Sequence, residues 1–241
     1  MPGVTIEDHD GVWVLALGRP PVNAVELELA QDLRDAVRRA EITPSCVAVA
    51  ITGSHGVFSA GIDARAVPAY DPAGRDRLVR VLNELVRRLY GLPKPTVAAI
   101  NGHALGAGLV LALACDMRFA AQGYYQLGLN EVSTGIPLPA APQAVLEAEL
   151  DPRSRRVMAL RGTTFGPLDE LAAGFVDALY PAGDLMSAAL DRARAAARAA
   201  GYARVKQQLR AATLARLDEV IARDLDPLLR GWLERSETAA P

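Results

Sequence analysis

Three glycine-bearing segments hold residue types that can do chemistry. FSAGIDA (58–64) is a loop after a buried strand, NGHALGAG (101–108) leaves a second buried strand and opens an apolar helix, and LGLNE (127–131) is a short apolar stretch ending in an acid. Small side chains in the two loops allow close approach to the backbone, and two strand-exit loops can turn N–H groups toward one oxygen. Two converging N–H donors make an oxyanion hole, and a helix starting near Gly106 adds the positive end of its dipole. Glu131 stands among Leu127, Leu129 and Val132. Such surroundings disfavour the charged form of a carboxyl and tune it toward base duty near neutral pH. Taken singly, the same residues also read as turn glycines and as a surface acid or helix N-cap partner, and spacing alone does not separate these readings.

Other chemistries fail on inspection. NGHALGAG has neither GxGxxG spacing nor a GK[ST] ending, which excludes the usual dinucleotide and P-loop fingerprints. His9, His55 and His103 have no HExxH or CxxC companions, so no metal site is expected, although His103 could line a pocket. No GxSxG elbow surrounds Ser54 or Ser59. With 26 Lys+Arg against 28 Asp+Glu, the net charge of -2 provides no broad basic field for nucleic acid. Cys46 and Cys115 sit in apolar runs and read as reduced core thiols. An acidic N-terminal stretch without an apolar core argues against a signal peptide. Apolar runs shorter than the roughly 20 residues of a bilayer span argue against a membrane protein. The expectation is a soluble, cytoplasmic protein.

The elements that must position these segments are legible from periodicity. The first 18 residues read as a hairpin turning at Asp8–Gly11, and 26–40 as a helix. CVAVAIT (46–52) and TVAAI (96–100) read as buried strands, with a helix over about 74–91 between them that ends before Pro93 and Pro95. This alternation predicts an α/β fold with mainly parallel pairing. From about 138 to 236 the chain reads as helical, with one short strand at Phe175–Tyr180. The Ala/Arg-rich stretch Met186–Ala200 reads as a solvated helix.

Taken together, PPVNA (20–24), FSAGIDA, PKPTVAAINGHALGAGLVLALACDMRFA (93–120), LGLNEVSTGIP (127–137) and LRGTTFGPLDELAAGFVDAL (160–179) resemble the crotonase (enoyl-CoA hydratase/isomerase) superfamily in order and spacing over most of the chain. The resemblance implies a spiral of ββα turns over residues 1–180. It also implies a C-terminal helical region, 181–241, used to form a homotrimer or a dimer of trimers. The implied ligand is an acyl-CoA thioester, with coenzyme A as part of the substrate and no separate cofactor. Carried over, the oxyanion donors are the backbone N–H groups of Ile62 and Ala107. Val22, Ala24, Ala60, Gly61, Asp63 and Ala64 fall on the coenzyme A wall. The phosphate-contacting cations are not assigned by the resemblance: Arg65 and Lys94 read equally well as phosphate contacts or as solvated surface cations.

Two departures matter. Hydratases of the superfamily use two glutamates; one matches Glu131, and the other falls at Val110, an apolar residue. Ala107 also stands where a glycine is usual, which would strain the chain if that position needed a positive φ. A single base beside an oxyanion hole still suffices to move a double bond, whereas hydration needs an activated water. PPVNA, GVFSAGID, Val110 and GLNE lean toward the Δ3,Δ2-enoyl-CoA isomerases, and Val110 and Leu111 would help exclude water. Two rivals are a hydratase or related crotonase reaction that recruits His103 or Asp63, and a non-catalytic acyl-CoA binding protein.

Overall fold

Apolar–polar alternation at Val4 and Ile6, followed by an apolar run, folds as the antiparallel pair β1 (Val4–His9) and β2 (Val12–Leu17). This computed structural model describes residues 3–169 and 174–233. The hairpin turns through Asp10 and Gly11, both at positive φ, and Asp8 accepts from the Gly11 N–H. β3 (Ala48–Gly53), β4 (Thr96–Ile100), β6 (Met117–Ala121) and β9 (Ala178–Tyr180) extend the sheet in parallel, giving the order β1-β2-β3-β4-β6-β9. β3 and β4 are buried throughout, which is why they read as unbroken apolar runs.

A second sheet stands beside the first, made of β5 (Ala104–Leu105), β7 (Leu127–Gly128) and β8 (Thr164–Phe165) in the order β5-β7-β8. Its strands bring the second and third glycine-bearing segments together.

α1 (Leu27–Ile42) packs on β1 and β2, and α2 (Pro72–Gly91) packs on α1. Each begins where its sequence satisfies free N–H groups: Glu26 accepts from Glu28 and Leu29, and Asp71 accepts from Gly74 with Pro72 following. α3 (Ala107–Leu113) is wholly buried, and four-residue α4 (Glu131–Thr134) carries the acid. α5 (Ala140–Glu149) and α6 (Pro152–Arg155) follow, with a π turn at Arg156–Leu160. α7 (Leu185–Ala197) lays Leu185, Ala189 and Ala193 on β3, β4 and β6, and α8 (Tyr202–Ala222) packs on α2 and α5.

Several expected boundaries shift. The strand expected at 46–52 occupies Ala48–Gly53, and the one at 175–180 starts only at Ala178. The C-terminal third also contributes β8, so it is not helical apart from a single strand. α8 ends at Ala222, and turns follow, with Asp224 at positive φ, where helix was expected to run on to 236. Glu170–Ala173 of the fifth matched segment and residues 234–236 lie outside the described residues. Cys46 and Cys115 are buried free thiols, and burial pushes that of Cys115 up to about 12.

Candidate active site

The loop 58–64 is held between two neighbours. On one side Ser59 forms a parallel bridge with Ala104: its N–H donates to the His103 carbonyl at 2.9 Å, and its carbonyl accepts from Leu105 at 3.0 Å. On the other, Ile62 forms a parallel bridge with Val25, in which the Val25 N–H donates to Gly61 O at 2.7 Å and the Asp63 N–H donates to Val25 O at 2.8 Å. Because the groups flanking Ile62 face Val25, the Ile62 N–H faces the opposite way, out of the bridge. The segments expected to form the ligand wall thus run side by side, with Ala60 also donating to Val22 O at 3.0 Å.

Ala107 opens α3, so its N–H has no acceptor within the helix. The turn into the helix places its positive φ, 52°, on Gly106 and leaves Ala107 in ordinary helical backbone. The alanine therefore sits without strain where a glycine is usual. The two N–H-bearing loops touch at Gly61, whose φ is 84°: a Cβ there would fall 2.6 Å from Leu105 O and 3.3 Å from Ala107 N. Only a glycine lets the loops approach this closely.

Glu131 begins α4, and its carboxylate lies against Gly106, one residue before Ala107. Ile62, Asn130, Glu131, Thr134 and Ile136 line one cavity of about 20 Å³. Glu131 Oε2 is buried with no hydrogen-bond partner among the described residues. Burial pushes the carboxyl up to about 7, against its own and the Asn130 backbone N–H groups, which favour the ionised form. A carboxyl with such a pKa can exchange a proton near neutral pH, and Ile62 lines the same cavity.

The structure therefore sets Ile62 and Glu131 on one cavity and Ala107 N beside Gly61, with the segments expected to form the wall running alongside. Val110 and Leu111 are buried in the core, 1% and 2% exposed, and neither lines the cavity holding Glu131. Among the described residues, no second carboxylate lines it either. His103 faces a different cavity, with its Nδ1 accepting from the Gln126 N–H, and Asp63 pairs with Arg19 at 2.7 Å. Lys94 donates to the carbonyls of Ala40 and Thr43, closing the end of α1, while Arg65 is exposed beside the wall.

Sequence reasoning missed Asn130 and Thr134 in the cavity and Arg19 beneath the loop. The first two carry a signal only in their adjacency to Glu131. Arg19 carries none, since its partner lies 44 residues on. Among the described residues, no helix is long and apolar enough to cross a membrane, and no group of three or more His, Cys, Asp or Glu could hold a metal ion.

The enoyl-CoA hydratase/isomerase family profile matches residues 7–229. The chain belongs to this family. It is 34% identical over 220 residues to human mitochondrial enoyl-CoA delta isomerase 1, covering 90% of this chain and 72% of that protein. It is 32% identical over 184 residues to the probable enoyl-CoA hydratase EchA17 of Mycobacterium tuberculosis, covering 76% and 70%. The crystal structure of human mitochondrial Δ3,Δ2-enoyl-CoA isomerase superposes with a TM-score of 0.84 at 32% identity, covering 92% of this chain and 89% of that one. Family members thus include proteins named for either reaction, and the mixed α/β architecture is the crotonase fold.

Proposed function

We propose that this enoyl-CoA hydratase/isomerase family enzyme is a Δ3,Δ2-enoyl-CoA isomerase with Glu131 as its only acid/base. The observation that carries the reading is the Glu131 carboxyl, with Oε2 buried and its pKa pushed up to about 7, in a cavity that no second carboxylate lines among the described residues. As carboxylate, Glu131 removes a proton from C2 of a 3-enoyl-CoA. The electron pair moves onto the thioester oxygen, which the Ile62 and Ala107 N–H groups hold as a dienolate. Each such donor contributes about 3 kcal/mol to lowering the barrier. Glu131, now protonated, returns the proton at C4, and the double bond ends between C2 and C3. The balance needs one proton shuttle and no water.

Coenzyme A enters as part of the substrate, along the wall formed by Val22, Ala24, Ala60, Gly61, Asp63 and Ala64. Assembly as a trimer or a dimer of trimers through the region 181–241 belongs to the same reading, supported by Val205 and Leu209 on α8, which are 53% and 81% exposed.

The direct test compares turnover of 3-hexenoyl-CoA and crotonyl-CoA by the pure protein. Faster isomerisation of the first supports the reading. Faster hydration of the second overturns it in favour of a hydratase, with Asn130 and Thr134 as the polar groups left to hold a water. Binding of acyl-CoA with no turnover of either points to a non-catalytic binder.

A further inference from the structure

We infer that Arg19 is a positioning residue of the reaction: it neutralises Asp63 and locks the Val25–Ile62 bridge so that the Ile62 N–H meets the developing enolate as a donor unopposed by a neighbouring anion. This rests on the reading of the site given above. Asp63 follows Ile62 directly, so its charge stands one residue from the N–H that would meet the developing oxyanion. Left bare, it would oppose that charge.

The guanidinium spans the joint between the two segments. Arg19 Nη2 lies 2.7 Å from Asp63 Oδ2, Nη1 donates to Ala24 O at 3.1 Å, and Nε stands 3.9 Å from Glu26 Oε1. Its stem is fixed as well, since the Arg19 N–H donates to Asn23 Oδ1 at 3.1 Å. The other Glu26 oxygen accepts from the Tyr70 hydroxyl at 2.9 Å, and Asp63 Oδ1 accepts from the Arg65 and Ala66 N–H groups. Among the described residues the charged and titratable groups against the fork are Glu26, Asp63 and Tyr70, each paired or hydrogen-bonded, while Glu131 shares a cavity with Ile62. Burial pushes the Asp63 carboxyl up, but the Ala66 and Arg65 N–H groups together with Arg19 hold it below its ordinary value, so it stays ionised at neutral pH. A planar fork that holds Ala24 O and Asp63 Oδ2 at once, with Glu26 nearby, is a task that lysine cannot duplicate.

The test measures kcat, KM and the pH profile on a 3-enoyl-CoA for the wild type, Arg19→Met, Arg19→Lys and the double variant Arg19→Met/Asp63→Asn, with thermal melts alongside. Arg19→Met should lose about ten- to a hundredfold in kcat, with KM within about threefold. Its pH profile should shift upward, because the uncovered carboxylate disfavours ionised Glu131. Arg19→Lys should retain an intermediate rate. At saturating substrate the double variant should regain most of the lost kcat and the original pH profile, since the anion that Arg19 covers is gone, while its KM rises because Asp63 also belongs to the coenzyme A wall. An Arg19→Met enzyme with full kcat overturns the inference, as does a double variant no faster than Arg19→Met. Should Arg19→Met fail to fold, a folded double variant with less than a tenth of wild-type kcat overturns it, and near-wild-type kcat supports it. A wild type that turns over no enoyl-CoA overturns the underlying reading and Arg19's role with it, whereas an active wild type with an unaffected Arg19→Met overturns only Arg19.

Discussion

Glu131 Oε1 lies 2.8 Å from the point at which a side chain on Gly106 would begin, and Asn130 Oδ1 lies 2.8 Å from the same point. The residue before Ala107 thus has the base packed directly against its α-carbon. A methyl group on Gly106 would displace the carboxylate and also require a φ of 52° from an alanine. Gly106→Ala should therefore lose at least about a hundredfold in kcat, because misplacing the base by about an ångström costs this much. Steady-state kinetics beside a near-unchanged far-UV spectrum is the check; kcat within threefold of wild type would show that the carboxylate works from elsewhere.

The raised Glu131 pKa sets both a rate profile and a stability profile. Activity requires the carboxylate, so kcat/KM on a 3-enoyl-CoA should rise with pH and level off above about 7. Stability runs the other way. A carboxyl whose folded pKa exceeds its unfolded value of 4.5 binds more protons folded than unfolded, so its contribution worsens as pH rises from 4.5 to about 7 and is constant above. The full penalty is about 3 kcal/mol. Glu131→Gln should abolish isomerase activity by several orders while still binding acyl-CoA, and should melt higher than wild type at pH 8 but not at pH 4.5. Melting curves at the two pH values, with turnover assays, decide it; wild-type turnover by the glutamine variant would remove Glu131 from the mechanism.

Asn23 is fully buried at positive φ, and its amide donates to Ser54 O at 3.1 Å and Val57 O at 2.7 Å while its own carbonyl accepts from the Ser59 hydroxyl at 2.8 Å. It ties the segment before α1 to the loop carrying Ile62. Asn23→Leu removes the amide and leaves the Ser54 and Val57 carbonyls without it. A loss of roughly 2–4 kcal/mol in stability is expected. Urea denaturation measures this directly, and a loss below 0.5 kcal/mol would mean that water replaces the amide at no cost.

The parts of the fold that were legible are those with long periodic signals. Leu78, Val81, Leu82, Leu85 and Leu89 mark the buried stripe of α2, and TVAAI coincides with β4. The second sheet was not legible, because Ala104–Leu105, Leu127–Gly128 and Thr164–Phe165 are two-residue strands, too short to show any period. Their pairing nevertheless sets Glu131 beside Gly106, so the site could be read only as three separate weak segments until family resemblance joined them. α8 was legible as helix, but its packing was not. Two of its three buried positions are Lys206 and Arg210, with Leu217 the third, so its buried face resembles a solvated one.

That face converges on Asp116. The carboxylate accepts from the Thr96 N–H at 2.8 Å, the Tyr202 hydroxyl at 2.9 Å and Lys206 Nζ at 2.9 Å, and its other oxygen lies 2.9 Å from Arg210 Nη1. Lys206 and Arg210 are 7% and 9% exposed, and the Arg210 guanidinium stacks on the Tyr90 ring at 3.8 Å. Two buried cations are thus held by one shared acid, with Glu149 3.6 Å from Arg210 as the next nearest anion. Removing the shared charge strands the cations rather than merely deleting a pair. Asp116→Asn should cost about 3 kcal/mol or more, in the range for breaking a buried ion pair on one side only. Lys206→Met should cost less, because Asp116 keeps Arg210, Tyr202 and the Thr96 N–H. Chemical denaturation of both variants tests the order: if Lys206→Met proves the more damaging, the lysine stem and its bond to the Lys94 carbonyl, rather than the shared carboxylate, anchor α8 to the sheet.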